Sequence, residues 1–114
     1  LAARLAVVPL VLEARGLDVT PAMAEKLRKA SDDASADALD VIYRDEIGHV
    51  AIGRRWFAFV CAARGMEPAA HWQALVRRHF RGTLKPPFNA DGRDAAGLPV
   101  GWYQPLATTQ PPPA

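Results

Sequence analysis

Residues 33–64 read DASADALDVIYRDEIGHVAIGRRWFAFVCAAR, a run without proline that is closed by Gly65. Steps of three and four residues through Leu39, Ile42, Glu46, His49, Gly53, Trp56 and Val60 mark one seam along it, the spacing of a helix packed in a bundle. The stretch therefore predicts a long α-helix, capped by Asp33 or Ser35 and ended by Gly65. Asp37 and Asp40 fall near its start and Arg54, Arg55 and Arg64 toward its end, the charge order that the helix dipole favours.

Upstream, Leu1 to Arg15 is helical in pattern, with Pro9 as a source of a kink and Gly16 as the expected stop. Thr20 can cap and Pro21 can occupy the first position of a second helix to about Ala30, with Glu25 and Lys29 on its polar face and Met23 and Leu27 opposite. Downstream, Pro68 opens a helix to about His79 that Gly82 stops, and Asn89 caps a last short turn ending at Gly97. Half of the residues are apolar, alanine is abundant and β-branched runs are scarce. The fold class is thus all-α. Residues 1–98 are read as the domain. From Pro99 to Ala114 the chain carries five prolines and no charge, and a disordered tail is expected there. A domain of this size buries a small share of its surface, so a partner is expected.

Fourteen basic and twelve acidic side chains leave a net charge of +2, too weak a field to argue for nucleic acid. Cys61 is the only cysteine, so no internal disulfide or cysteine-based cluster can form, and a cytoplasmic location is expected. The apolar run from Ala6 to Leu12 is followed at once by Glu13 and Arg15. It lacks a cleavage site and is too short to span a bilayer, so no membrane association is expected. The helical pattern is already running at Leu1, and the reading is that an upstream part is missing.

Glu46 and His49 lie one turn apart in the seam, where an unpaired carboxylate would cost several kcal/mol or more. At i and i+3 a carboxylate and an imidazole can converge on one ion, as in the Glu-x-x-His element of di-iron bundles. Glu13 is the only acid in the first fifteen residues, and it sits near the expected helix C-terminus, where the dipole disfavours negative charge. In the bundle recipe a single Glu on one helix accompanies the Glu-x-x-His of its neighbour. Oxygen and imidazole donors suit iron or manganese. The spacing also admits a metal-free reading, in which Glu46 and His49 form a polar network in the core and Glu13 pairs with Arg15 or Arg4.

The string Glu13-Ala14-Arg15-Gly16-Leu17-Asp18-Val19-Thr20-Pro21, the string from Arg44 to Gly53, Trp56, and Pro87-Phe88-Asn89 together resemble the C-terminal half of an uncharacterised family of bacterial ferritin-like proteins. The resemblance covers about residues 1–98. It implies half of a ferritin-like helical bundle in which Glu13, Glu46 and His49 are metal ligands, with two iron or manganese ions in each complete site. Oxidase or hydroxylase chemistry, making the whole protein a di-iron oxidoreductase, is implied at the level of the superfamily, which includes tRNA-modifying hydroxylases. Such a site takes about six ligands. The other three would come from the missing N-terminal half or from a second copy in a homodimer. The substrate, a small molecule or a tRNA-like one, is not specified.

By the same resemblance Asp45 would hydrogen-bond a histidine ligand. Tyr43, one turn before Glu46, is read as packing, Trp56 as core, and Gly48 and Gly53 as close helix contacts. His71, His79 and Cys61 lack metal-like partners at helical spacing. The stretch Arg77-Arg78-His79-Phe80-Arg81 is read as a solvated basic face, with RNA contact the alternative. A metal-free helical module for interaction or oligomerisation remains the second reading of the whole chain.

Overall fold

A computed structural model describes residues 1–107 and is all-α over them. Helix α1, Ala2–Val7, passes through a π-helical turn, Val8–Glu13, into α2, Ala14–Lys29. After a turn at Ser31, α3 spans Asp33–Ala63 and α4 Pro68–His79. Short helices α5, Ala90–Ala95, and α6, Val100–Tyr103, follow, and a 3-10 turn, Gln104–Leu106, closes the described chain. No strand forms among the described residues, only an isolated bridge between Leu84 and Ala107. None of the helices there is long and apolar enough to cross a membrane.

The expected break between Gly16 and Pro21 does not occur: α2 runs through both. Pro21 has no N–H to give the carbonyl of Leu17, four residues back. That carbonyl instead accepts a hydrogen bond of 3.0 Å from Asn89 Nδ2. The freed backbone group is satisfied from outside, so the helix continues. Pro9 acts differently. It lies in the π turn, where the ladder widens to absorb a residue that cannot donate. Its ring seats against Gly53 of α3, where an added Cβ would lie 2.5 Å from Pro9 Cβ.

Turn and cap chemistry set the remaining boundaries. Asp32, rather than Asp33 or Ser35, caps α3 by accepting from Ser35 N at 3.2 Å. Gly65 takes φ +66° after its end, a conformation that costs glycine little. Glu67 caps α4 by accepting from Ala69 N and Ala70 N, which holds its carboxyl below the usual range. Asn89 caps α5 through Gly92 N, as its position in the sequence suggested. Glu25 and Lys29 pair at 3.2 Å on α2, but Met23 opposite is exposed, and Ala24 is the residue that packs inward.

The core joins Ala6, Leu10, Ala14 and Leu17 of the first continuous helix to Val50, Phe57 and Cys61 of α3 and to Trp72 and Val76 of α4. This stripe on α3 is rotated from the expected seam. Gly53 and Val60 are buried, but Ile42, His49 and Trp56 face outward. Ile42 and Trp56 are more than half exposed, as are Ile52 and Phe59 beside them. The molecule measures 51 × 41 × 21 Å, and its thin dimension is about two helix diameters. With two layers, only one face of α3 can be covered.

The expected boundary at residue 98 also shifts. Trp102 and Tyr103 of α6 and Leu106 are buried in the same core, so the packed unit continues past Pro99. Gln73 Nε2 donates to the carbonyls of Gly101 and Trp102 and ties this segment to α4. Aromatic area supplies the driving force that the proline-rich composition concealed. The remainder of the expected tail, residues 108–114, lies outside the described residues.

Candidate metal centre

Glu13, Glu46 and His49 come together. Glu13 ends the π turn, whereas Glu46 and His49 lie one turn apart on α3. One ligand atom from each lies within 4.8 Å of the other two, and among the described residues this is the one group of three or more acids, histidines or cysteines that so converges. His49 Nδ1 stands 3.5 Å from Glu46 Oε2. The Glu46 side chain is 22% exposed and that of His49 62%, so the cluster has a buried floor and an open side. Glu46 Oε1 is buried without a hydrogen-bond partner.

Partial desolvation, the adjacent Glu46 carboxylate and the hydrogen bond that a protonated Glu13 makes to it push the Glu13 carboxyl above its usual range, against a downward pull from His49. Two carboxylates held this close disfavour joint ionisation unless a cation lies between them. An orphaned carboxylate oxygen, a crowded carboxylate pair and an imidazole with an open side fit a divalent cation such as iron or manganese. The π turn is part of this construction. Inserting a wide turn before Ala14 sets which way Glu13 faces, and π turns recur at functional positions for this reason.

The other sequence-derived assignments divide. Asp45 is exposed and, among the described residues, makes no hydrogen bond to a histidine. Tyr43 packs against the core, and its hydroxyl accepts from Asn89 Nδ2 at 2.7 Å. Gly53 is the close contact expected of it, but nothing lies within 4 Å of a Cβ placed on Gly48. Trp56, expected in the core, is 56% exposed. Its ring meets Phe59 edge-on at 5.8 Å. His71 stacks on Phe57, whereas Arg77, Arg78 and His79 are exposed at the end of α4.

The string from Leu17 to Pro21 and the string Pro87-Phe88-Asn89 meet in space, and their meeting is structural. Asn89 N donates to Asp18 Oδ1 at 2.9 Å, and Arg93 reaches both Asp18 oxygens at 2.9 and 2.6 Å. Arg93 is only 2% exposed. A fork-to-carboxylate pair of this kind fixes geometry as well as charge. Sequence reading missed Asp18 and Arg93 because seventy-five residues separate them. The available signal was an arginine in a six-residue helix, four positions after its Asn89 cap.

The chain matches, over residues 1–104, the model of a family described as "Protein of unknown function (DUF455)". An uncharacterised protein of Haemophilus influenzae is 43% identical over 95 residues, which are 83% of this chain and 33% of that relative. The chain therefore spans about a third of the length of the curated relative it matches. No solved structure matches it significantly.

Proposed function

Because the chain belongs to the family described as protein of unknown function (DUF455), its chemistry must be read from its own residues, and we propose that it forms half of a carboxylate-bridged di-metal site in a ferritin-like bundle. The observation that carries this reading is the convergence of Glu13, Glu46 and His49 around the unpaired Glu46 Oε1. Glu46 and His49 would hold the metal from one turn of α3, and Glu13 would bridge from the π turn. Iron or manganese there would supply electrons for the reduction of dioxygen or peroxide, the chemistry of an oxidase or hydroxylase. Two carboxylates would neutralise the metal charge, and the His49 imidazole would add a nitrogen donor.

Three ligands make half of such a site. The remainder would come from the N-terminal half of a longer family member or from a second copy. The line of Ile42, His49 and Trp56 supports this arrangement, because an apolar stripe that runs through a ligand is suited to being covered by the element that completes the site. Elemental analysis of protein purified without chelator tests the reading. About two equivalents of iron or manganese per completed site, lost in Glu46→Ala, are expected. Less than about a tenth of an equivalent, unchanged by Glu46→Ala, overturns it.

The exposed stripe also favours a second reading, a metal-free interaction module. In that case Trp56→Ala abolishes self-association or partner binding, and Glu46→Ala leaves both metal content and association as they were.

A further inference from the structure

Between the π turn, the end of α4 and the segment leading to α5 lies a cavity of about 240 Å³. Val11, Phe80, Leu84 and Phe88 give it apolar walls, and Arg15, Lys85 and Arg93 give it three cations. Its lining contains no acid. Asp18 serves two of these cations: it pairs with Arg93 through two hydrogen bonds and stands 3.6 Å from Arg15 Nη1, which also donates to the Lys85 carbonyl. Lys85 makes no ion pair among the described residues. Positive charge is therefore in surplus beside an apolar hollow.

Arg93 adds a second, independent indication. It is almost wholly buried, and its Nη1 has no hydrogen-bond partner. Its guanidinium carbon lies 5.0 Å from the centre of the Phe88 ring and 4.5 Å from that of Tyr103. A buried guanidinium nitrogen without an acceptor is uncommon and calls for one. Arg93 also lines the cavity, so an acceptor carried on an apolar body lodged there would lie beside this side chain.

We infer that this cavity binds a small amphiphilic carboxylic acid, with a ring or short alkyl chain against the apolar walls and a single carboxylate among Arg15, Lys85 and Arg93. An apolar cavity of about 150 Å³ takes benzene, so this one suits a ring that bears a short acid arm. A long-chain fatty acid is too large. A bare phosphate would leave the walls unfilled, and its stronger hydration opposes entry into a mostly apolar hollow. The inference does not rest on the metal reading, and Glu46→Ala should leave this binding unchanged.

Titration of the isotopically labelled chain, followed by nuclear magnetic resonance, tests it with three probes: phenylacetate, phenylethanol and inorganic phosphate. Phenylacetate is expected to bind saturably and to shift amides across residues 80–88, with phenylethanol about tenfold weaker for want of the charge-assisted bonds. Lys85→Gln, which removes no side-chain hydrogen bond or ion pair seen among the described residues, should weaken phenylacetate several-fold. Arg15→Gln should do the same, and Thr83→Trp should block entry. Equal affinity for the acid and the alcohol overturns the inference. So does inorganic phosphate matching phenylacetate, which would mean a plain anion site. No saturable shift at concentrations on the order of tens of millimolar overturns it as well.

Discussion

Two faces of α3 are apolar, and only one of them is covered. The inner face presents Val50, Gly53, Phe57 and Cys61 to α1, the π turn and α4. The outer face presents Ile42, Ile52, Trp56 and Phe59 to solvent, with His49 among them. The two differ in what their polar residues do. Of Val50, Gly53, Phe57 and Cys61 only the buried thiol is ionisable, and this stripe serves cohesion. The outer stripe also carries Asp45 and His49, and the histidine meets two carboxylates. Scattered single apolar residues at a surface need no explanation, but Ile42, Ile52, Trp56 and Phe59 share one face of α3 beside the candidate triad.

The largest test of that contrast sets two phenylalanines two residues apart against each other. Phe57→Ala should cost ~3–5 kcal/mol in chemical denaturation, as deletion of a fully buried ring does. Phe59→Ala, which loses only an exposed edge contact with Trp56, should cost no more than ~1 kcal/mol. Comparable losses at the two positions would mean that the outer face is already covered in solution. A concentration series would then show the cost of Phe59→Ala falling on dilution.

The two glycines sharpen the same contrast with smaller effects and opposite signs. Gly53→Ala drives a Cβ into the Pro9 ring, which is fixed to backbone and cannot swing aside. A loss of ~1–3 kcal/mol follows from overpacking. Gly48→Ala meets nothing, so it should gain ~0.5–1 kcal/mol from helix propensity. A loss at Gly48 in the same denaturation experiment would place a close neighbour on a side of α3 that is open here.

Helix type and the facing of Glu46 toward His49 were legible because both are local. The long helix follows from a thirty-residue pattern, and Glu46 and His49 from one turn of it. The rotation of α3 was not legible. An apolar arc wide enough to have two faces gives a seam drawn by three-four steps no unique centre, and the seam landed on the boundary between them. The continuity of α2 through Pro21 was hidden for another reason. The acceptor freed by that proline is satisfied by Asn89, a residue seventy-two positions away, and no local rule reports such a partner. Likewise, Trp102 and Tyr103 are anchored by contacts with α4 and Phe88, which override the proline-rich composition around them.

The smallest expected effect bears most directly on what the outer face is for. Without metal, the Glu13 carboxyl holds its proton more tightly in the folded chain than in the unfolded one, because of its desolvation and the Glu46 charge. A group whose folded value is raised favours the fold fully below its unfolded value, near 4.5, and loses that contribution as pH rises through the folded value. At neutral pH the crowded pair thus weighs against the metal-free fold. Glu13→Gln should stabilise the chelated protein there by roughly a few tenths of a kcal/mol, since solvent screens the exposed Glu13. The gain should vanish below the carboxylate range. Thermal melts of both proteins across pH, in chelator and then with added manganese, measure this. If the triad holds an ion, the sign reverses on adding manganese: the carboxylate that weakened the empty fold becomes a ligand, and Glu13→Gln then lowers the melting temperature by removing it. An unchanged sign would leave Glu13 as a crowded surface acid and remove it from the site.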